Sequence, residues 1–363
     1  MTSQLNDQNI IQYQDLVSPE DLQKEYPLTP KIHKFIIESR KTIQNIINGN
    51  DPRYLCIVGP CSIHNIDEAK SYGQLLKTII DKSKEKLFIV MRVYLEKPRT
   101  TIGWKGFLND PNLNNSFDVN LGLRKSRELL LYLNDLGVSC GCEILDTITP
   151  QYLSDLYSWG AIGARTTESQ VHRQIVSGLS FPIGFKNGIG GDIQPAINSL
   201  VSSSEGHSFM GINQQGKAVV CQTRGNLNTH IILRGSCQNG PNYTKPFIME
   251  TEQLLSEMNK KIEKKNAKKI NQKIMIDCSH GNSNKISKNQ HIVIQSVCAQ
   301  LQNIKCPIIG VMIESNIHSG KQNLVSKEDL IYGVSITDSC INWDDTLLIL
   351  NELQKKIQHL FKQ

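Results

Sequence analysis

No stretch of the 363-residue chain approaches the roughly 18 consecutive apolar residues that a membrane-spanning helix needs. The opening MTSQLNDQNIIQYQD has neither a basic n-region nor an apolar h-region, so a cytoplasmic protein is expected. No CxxC pair exists: Cys140 and Cys142 form only a CxC, which excludes a zinc-ribbon knuckle. The ten cysteines are too sparse for a disulfide framework, and most sit in apolar runs, as expected in a reducing compartment. No GxGxxG follows the first predicted strand, which argues against dinucleotide binding. Nor is there an internal repeat of solenoid period. The net charge of +6 does not indicate nucleic acid. Its densest source, Lys260, Lys261, Lys264, Lys265, Lys268 and Lys269, is interrupted by Glu263 and reads as a solvated helix face, with no basic-aromatic platform beside it.

What is present is a regular alternation. Eight β-rich runs recur: LCIV (55–58), LFIVMRV (87–93), VSCGCEI (138–144), AIGAR (161–165), PIGFK (182–186), HIILR (230–234), IMIDC (274–278) and IIGVMIE (308–314). Helix-period segments separate most of them, at 67–85, 119–136, 150–159, 172–179, 250–265 and 288–301. Near-continuous apolar strands joined by helices predict an α/β fold with a parallel sheet covered on both faces, and eight units predict closure into a (β/α)8 TIM barrel. Residues 1–50 precede the barrel (51–363) as an N-terminal extension suited to subunit contact or regulation. The segment 206–226 alternates around turn residues like an inserted β-hairpin.

The strand ends carry the chemistry. Cys61 follows the first strand, Arg92, Lys97 and Arg99 the second, and His280 the seventh. Glu143, Arg165, Lys186, Arg234 and Glu314 close the third, fourth, fifth, sixth and eighth. In a barrel these ends share one face. Six cations there would repel one another unless anions were bound, and two phosphates and a carboxylate are a plausible load. A thiol, an imidazole and the carboxylates Glu314 and Asp338 form a mixed S/N/O set that suits a borderline divalent transition metal better than Mg2+ or Ca2+. Taken singly, Cys61 reads as a core cysteine and His280 as a satisfied histidine. Strands one, seven and eight are neighbours in a closed ring, so three of the four can converge. Asp277 and Asp146 read equally as orienters of a neighbouring side chain or as caps.

The segments GPCSIH, MRVYLEKPRTTIGWKG, SWGAIGARTTESQVHR, GFKNG, HIILRG, DCSHGNSNK, GVMIESNIH and GVSITDSCINWDDT resemble the class I (alpha-type) 3-deoxy-D-arabino-heptulosonate-7-phosphate (DAHP) synthases, and the tyrosine-sensitive type most of all. The resemblance runs from about residue 15 to residue 350. It implies a metal-dependent transferase that joins phosphoenolpyruvate to erythrose 4-phosphate at the head of the shikimate pathway to aromatic amino acids. C3 of the enol attacks the aldehyde, water adds at C2, and phosphate leaves with C–O cleavage. By the same resemblance Cys61, His280, Glu314 and Asp338 match the ligands of one Mn2+, Fe2+ or Co2+ ion. Arg92, Arg165, Lys186 and Arg234, with Glu143 and the backbone near Ala164, match the phosphoenolpyruvate contacts. Lys97, Arg99 and Thr100 match the erythrose 4-phosphate contacts. Lys97, its pKa expected to be depressed among cations, is the candidate proton donor to the new hydroxyl; Lys186 is the alternative.

The resemblance also implies a homo-oligomer inhibited by an aromatic amino acid held between the hairpin and a neighbour's N-terminal segment. Asp7, Pro150, Gln151, Ile175, Leu179, Ser180, Phe209, Gly211 and Cys221 match that region. Serine at the Gly211 position accompanies phenylalanine sensitivity in relatives, whereas glycine leaves room for a phenolic hydroxyl, so tyrosine is favoured over phenylalanine. This chain departs from the pattern in reading FKNGIGGD where relatives read FKNGTDG, and in extra length and lysines over 235–273.

Overall fold

The run LCIV lies in a strand, β1 (Tyr54–Gly59), whose six residues are all buried, as a parallel strand covered on both faces must be. In this computed structural model, which describes residues 5–357 except 266, 304 and 325, it is followed by β2 (Leu87–Arg92), β3 (Ser139–Glu143), β4 (Trp159–Ile162) and β5 (Ile183–Lys186). A hairpin, β6 (Ser208–Ile212) and β7 (Ala218–Gln222), comes next, then β8 (Thr229–Leu233), β9 (Ile274–Asp277) and β10 (Ile308–Glu314). The eight strands outside the hairpin close a parallel barrel in the order β1-β2-β3-β4-β5-β8-β9-β10, and β10 returns to pair with β1, Gly59 opposite Glu314. The (β/α)8 barrel and the separate antiparallel hairpin are as the sequence predicts.

The helices are α1 (Pro19–Glu25), α2 (Pro30–Asn48), α3 (Ile66–Ser83), α4 (Val119–Leu136), α5 (Thr149–Leu153), α6 (Gln170–Gly178), α7 (Gln194–Ser204), α8 (Lys245–Glu263), α9 (Gln290–Gln300) and α10 (Trp343–Lys356). Their ends follow local chemistry: Thr29 caps α2 before Pro30, Asn65 caps α3, Asp118 caps α4, and Gly49 and Gly137 close α2 and α4 in the left-handed conformation. The predicted helix over 150–159 is shorter. It ends at Leu153, passes through one 3-10 turn to Leu156 and gives way to β4 at Trp159. The fourth strand therefore starts two residues early and stops at Ile162, leaving Arg165 in the turn beyond it. In the lysine run only Lys260 and Lys261 are helical; the other four follow α8, and all six are exposed.

The segment before the barrel has a structural task. Ile43, Ile46 and Ile47 of α2 pack in one cluster with Leu55, Ile57, Val90, Trp159, Ala161, Ile232, Met275 and Met312. Leu55 and Trp159 belong to the N-terminal ends of their strands, so α2 plugs the end of the barrel opposite the strand-end residues. Ile47 is fully buried. Ile47→Ala is expected to cost about 2–5 kcal/mol by leaving a cavity there, read as a lower urea midpoint with Michaelis constants unchanged. An unshifted midpoint would show that the plug contributes little.

Candidate active site

The strand-end residues meet at one mouth. Cys61, fully buried, lies two residues beyond β1. Glu314, the last residue of β10, is also buried. Asp338 comes from the long loop after β10, which bridges Gly320 to Cys340 and Ser315 to Ile341 and so folds back over the mouth. The ligand atoms of Cys61, Glu314 and Asp338 lie within 4.8 Å of one another. The Asp338 N–H donates to Cys61 Sγ at 3.4 Å, and Ser62 Oγ and Thr337 Oγ1 share a hydrogen bond of 2.8 Å alongside.

His280 lies beside this group. Its Nε2 is 3.8 Å from Glu314 Oε1. Its Nδ1 is 2.9 Å from Asp277 Oδ2 and 2.7 Å from Ser279 Oγ, an arrangement that orients the ring. Asp277 is thus the orienter, whereas Asp146 accepts the N–H groups of Ile148 and Thr149 and shapes the start of α5. Burial opposes ionisation of Asp277, but His280 and Lys186 outweigh it and hold the carboxyl well below the usual range. Burial also pushes the Cys61 thiol up to about 11, with Glu314 pushing the same way.

Lys97, Arg99, Thr100, Glu143, Ala164, Arg165, Lys186, Arg234, His280 and Asp338 all line one cleft of about 470 Å³. Arg92 lies beneath, buried, its Nη2 donating to Glu314 Oε1 at 3.0 Å. Gly59 sits opposite with φ 153°, and a Cβ there would come within 3.1 Å of the Arg92 backbone, so glycine is what lets β1 and β2 close where this arginine emerges. Arg165 donates through Nε and Nη2 to Thr100 Oγ1 at 3.2 and 3.1 Å, tying the loop after β2 to the turn after β4.

Two expectations need correction. The cations do not simply repel one another, because the deepest have counter-charges: Arg92 with Glu314, and Lys186 with Asp277 at 2.9 Å. Nor is Lys97 depressed. Its Nζ is 3.0 Å from Cys61 Sγ, and although burial pulls the pKa down, Cys61, Glu314, Glu143 and Asp338 together push it above the ordinary lysine value.

Sequence reasoning did not single out Lys285, which lines the cleft beside His280 and Asp338 and shares a smaller recess of about 120 Å³ with Lys321. The loop curls because His280, Asn284 and Lys285 adopt positive φ, bringing Lys285 N–H to within 2.8 Å of His280 O. The Asn-rich GNSNK was the available signal.

The residues matched to effector binding gather largely elsewhere. Phe209 and Cys221 face each other across the hairpin. A Cβ on Gly211 would lie 2.9 Å from Cys221 Sγ. Ile175 is buried on α6, Leu179 and Ser180 follow that helix, and Pro150 and Gln151 belong to α5. The Gln214 side-chain amide ties the hairpin turn to Gln151 at 3.3 Å. Asp7 is not brought to this group; it accepts from Tyr13 Oη at 2.8 Å and from the Ile10 N–H.

Comparison with known proteins identifies the chain's relatives. The DAHP synthetase I family pattern matches residues 34–351. The chain is 46% identical over 354 residues, 97% of its length and 96% of the relative's, to the Tyr-sensitive phospho-2-dehydro-3-deoxyheptonate aldolase of Escherichia coli (strain K12). It is 45% identical over 358 residues to the Phe-sensitive protein of the same name and organism, covering 99% of each. The solved phospho-2-dehydro-3-deoxyheptonate aldolase of Francisella tularensis SCHU S4 superposes with a TM-score of 0.89 at 45% identity, over 96% of this chain and 99% of that one. With a closed (β/α)8 barrel and a family pattern spanning most of its length, the chain belongs to the DAHP synthetase I family of enzymes.

Proposed function

We propose that this enzyme condenses phosphoenolpyruvate with D-erythrose 4-phosphate and water to give DAHP and inorganic phosphate, as the first step of the shikimate pathway in the cytoplasm. The observation that carries this reading is the meeting of an S/N/O/O donor set with a cation-lined cleft at one barrel mouth. The donor set fits a divalent transition ion, since a buried thiol beside an imidazole and two carboxylates is neither an oxygen cage nor an all-cysteine knuckle. Cys61, His280, Glu314 and Asp338 would hold one Mn2+, Fe2+ or Co2+ ion, which when bound supplies Lewis-acid polarisation of the aldehyde.

The chain's own groups do the rest. Arg165, Lys186 and Arg234, on three successive barrel units, suit the enolpyruvate phosphate, with Arg92 beneath and Glu143 and Ala164 on the wall. Lys97, Arg99 and Thr100, presented by one loop, suit the phosphate and hydroxyl end of the aldose. Lys97 is the proposed proton donor to the oxygen that becomes the new hydroxyl: its acidic neighbours make it a weaker acid than a free lysine but keep it charged, and an alkoxide is basic enough to take the proton. Lys186, fixed by Asp277, is the second candidate for a proton transfer.

The reading is tested by phosphate release from the two substrates with metal-stripped protein, with and without added Mn2+. Metal-restored, aldose-dependent release supports it. Release only with arabinose 5-phosphate would replace the four-carbon acceptor by a five-carbon one, and no release from folded protein would end it.

Residues 1–50 and the hairpin suit subunit contact and regulation in a homo-oligomer. Met210 and Val220 are cross-strand neighbours on the hairpin and 91% and 68% exposed, and Ile11 and Tyr13 of the leading segment are 100% and 78% exposed. Tyrosine is the proposed inhibitor. Gly211→Ser places a side chain against Cys221, and the tyrosine concentration for half-inhibition is expected to rise roughly 10- to 100-fold, with uninhibited turnover unchanged. Equal tyrosine sensitivity in the variant would contradict the pocket assignment.

A further inference from the structure

Arg234 enters the cleft from a backbone that three buried asparagines hold. Its N–H donates to Asn187 Oδ1 at 2.8 Å, and its carbonyl accepts the Asn282 N–H at 3.1 Å. The next residue is held in the same way: the Gly235 N–H donates to Asn242 Oδ1 at 2.7 Å, and Gly235 O accepts from Asn187 Nδ2 at 3.2 Å. All four backbone polar groups of this pair therefore bond to asparagines. Gly235 has φ 66°, and a Cβ there would come within 2.6 Å of Asn282 N, so the chain passes between these residues only as glycine.

The asparagines also hold one another. Asn242 Nδ2 donates to Asn187 Oδ1 at 3.2 Å and the Asn242 N–H to Asn282 Oδ1 at 2.8 Å, while Asn282 Nδ2 donates to the carbonyls of Leu233 and Asp277 at 3.0 and 2.9 Å. Asn187, Asn242 and Asn282 are 0%, 9% and 3% exposed, and they come from the loops after β5, β8 and β9. A carboxamide donates and accepts at once, so it can join peptide groups of both kinds at neighbouring strand ends. A buried network satisfied in this way is rigid.

The Arg234 side chain has no such support of its own. Arg92 and Lys186 lean on Glu314 and Asp277, but among the described residues Arg234 has no carboxylate partner. Its guanidinium donates only to the adjacent Gly235 carbonyl, through Nη1 at 3.3 Å. The aim of this cation is therefore set by its backbone, and the backbone is set by the asparagines. We infer that Asn187, Asn242 and Asn282 are positioning residues that aim Arg234 at the phosphate of the enolpyruvate substrate. The inference rests on the reading of the cleft as a phosphoenolpyruvate site with Arg234 on the phosphate.

Asn187→Ala removes the acceptor of the Arg234 N–H and the donor to Gly235 O. In Mn2+-loaded protein the KM for phosphoenolpyruvate is expected to rise about tenfold, as for a weakened hydrogen bond to a charged group. Turnover at saturation and the KM for erythrose 4-phosphate should stay within about threefold. In an Arg234→Ala background nothing remains to be aimed, so adding Asn187→Ala should move the KM for phosphoenolpyruvate by less than about twofold. Where saturation is out of reach, the phosphoenolpyruvate-induced rise in melting temperature gives the same comparison. Asn226→Ala is the matched control. Asn226 is 5% exposed and donates to the Leu179 and Phe181 carbonyls at 3.3 and 3.1 Å, but it lies just before β8, at the opposite end of the barrel. It should lower the melting temperature and leave both KM values unchanged. If Asn187→Ala does not fold, Asn242→Ala, which frees the Gly235 N–H, carries the same expectation. An unchanged KM for phosphoenolpyruvate in the folded variant would overturn the inference, as would a full further rise on top of Arg234→Ala or an equal rise in Asn226→Ala. Arg234→Ala with the parent KM would remove the reading of the cleft as well, whereas a raised KM there beside an unchanged one in Asn187→Ala would remove the inference alone.

Discussion

Cys61→Ala is expected to slow phosphate release at saturating substrates and Mn2+ by about a thousand-fold or more, with the far-ultraviolet circular dichroism unchanged. The sulfur is fully buried at the centre of the proposed ligand set, with the Asp338 backbone and Lys97 Nζ both directed at it. Alanine leaves an imidazole and two carboxylates, a set that is weaker and harder in character. Lewis-acid stabilisation contributes several kcal/mol to such reactions, and about 4 kcal/mol corresponds to roughly a thousand-fold in rate. Metal content by elemental analysis after desalting should fall in the same variant. Full activity with full metal content would remove Cys61 from the ligand set.

The second large effect is on stability. Asp277→Ala is expected to destabilise the folded protein by about 3–5 kcal/mol at pH 7, the usual consequence of removing one partner from a buried charged network. Asp277 is fully buried and its carboxylate meets Lys186 Nζ and His280 Nδ1, each at 2.9 Å, while its other oxygen accepts from the Ser279 N–H and hydroxyl. The pH dependence has a definite sign. Because the folded carboxyl titrates well below the ordinary value, its contribution is fully present above the unfolded value of about 4 and is lost as the pH falls below that. The stability difference between parent and variant, from urea unfolding, should therefore be constant between about pH 5 and 7 and shrink in stronger acid. Equal urea midpoints at pH 7 would show that the network contributes nothing.

Much of the barrel is legible in the chain. β-branched runs such as LFIVMRV and IIGVMIE fit a strand buried on both faces, and β2 and β10 occupy them nearly residue for residue. AIGAR misled because its alternation continues into the turn. The early start of β4 was hidden by Trp159 and Gly160, which carry no β-branched signature yet sit in the barrel wall, with Gly160 paired to Cys142 and Ile183. The short α5 reflects distance: a strand that begins at Trp159 leaves no room for the third turn that the local pattern would support.

The residue types at the mouth were determined by sequence alone, since parallel strands in a closed ring must deliver all their C-terminal ends to one face. That places Cys61, Glu143, Lys186, Arg234, His280 and Glu314 together without any knowledge of side-chain positions. Only the tertiary structure decided who faces whom. Arg92 meets Glu314, and Asp277 joins Lys186 to His280, across gaps of 222, 91 and three positions along the chain. Such partners depend on ring closure and rotamers, which no local pattern encodes. The same reason explains why Lys97, one of six cations on paper, holds its proton more tightly in the folded protein: its nearest neighbours are a thiol and acids.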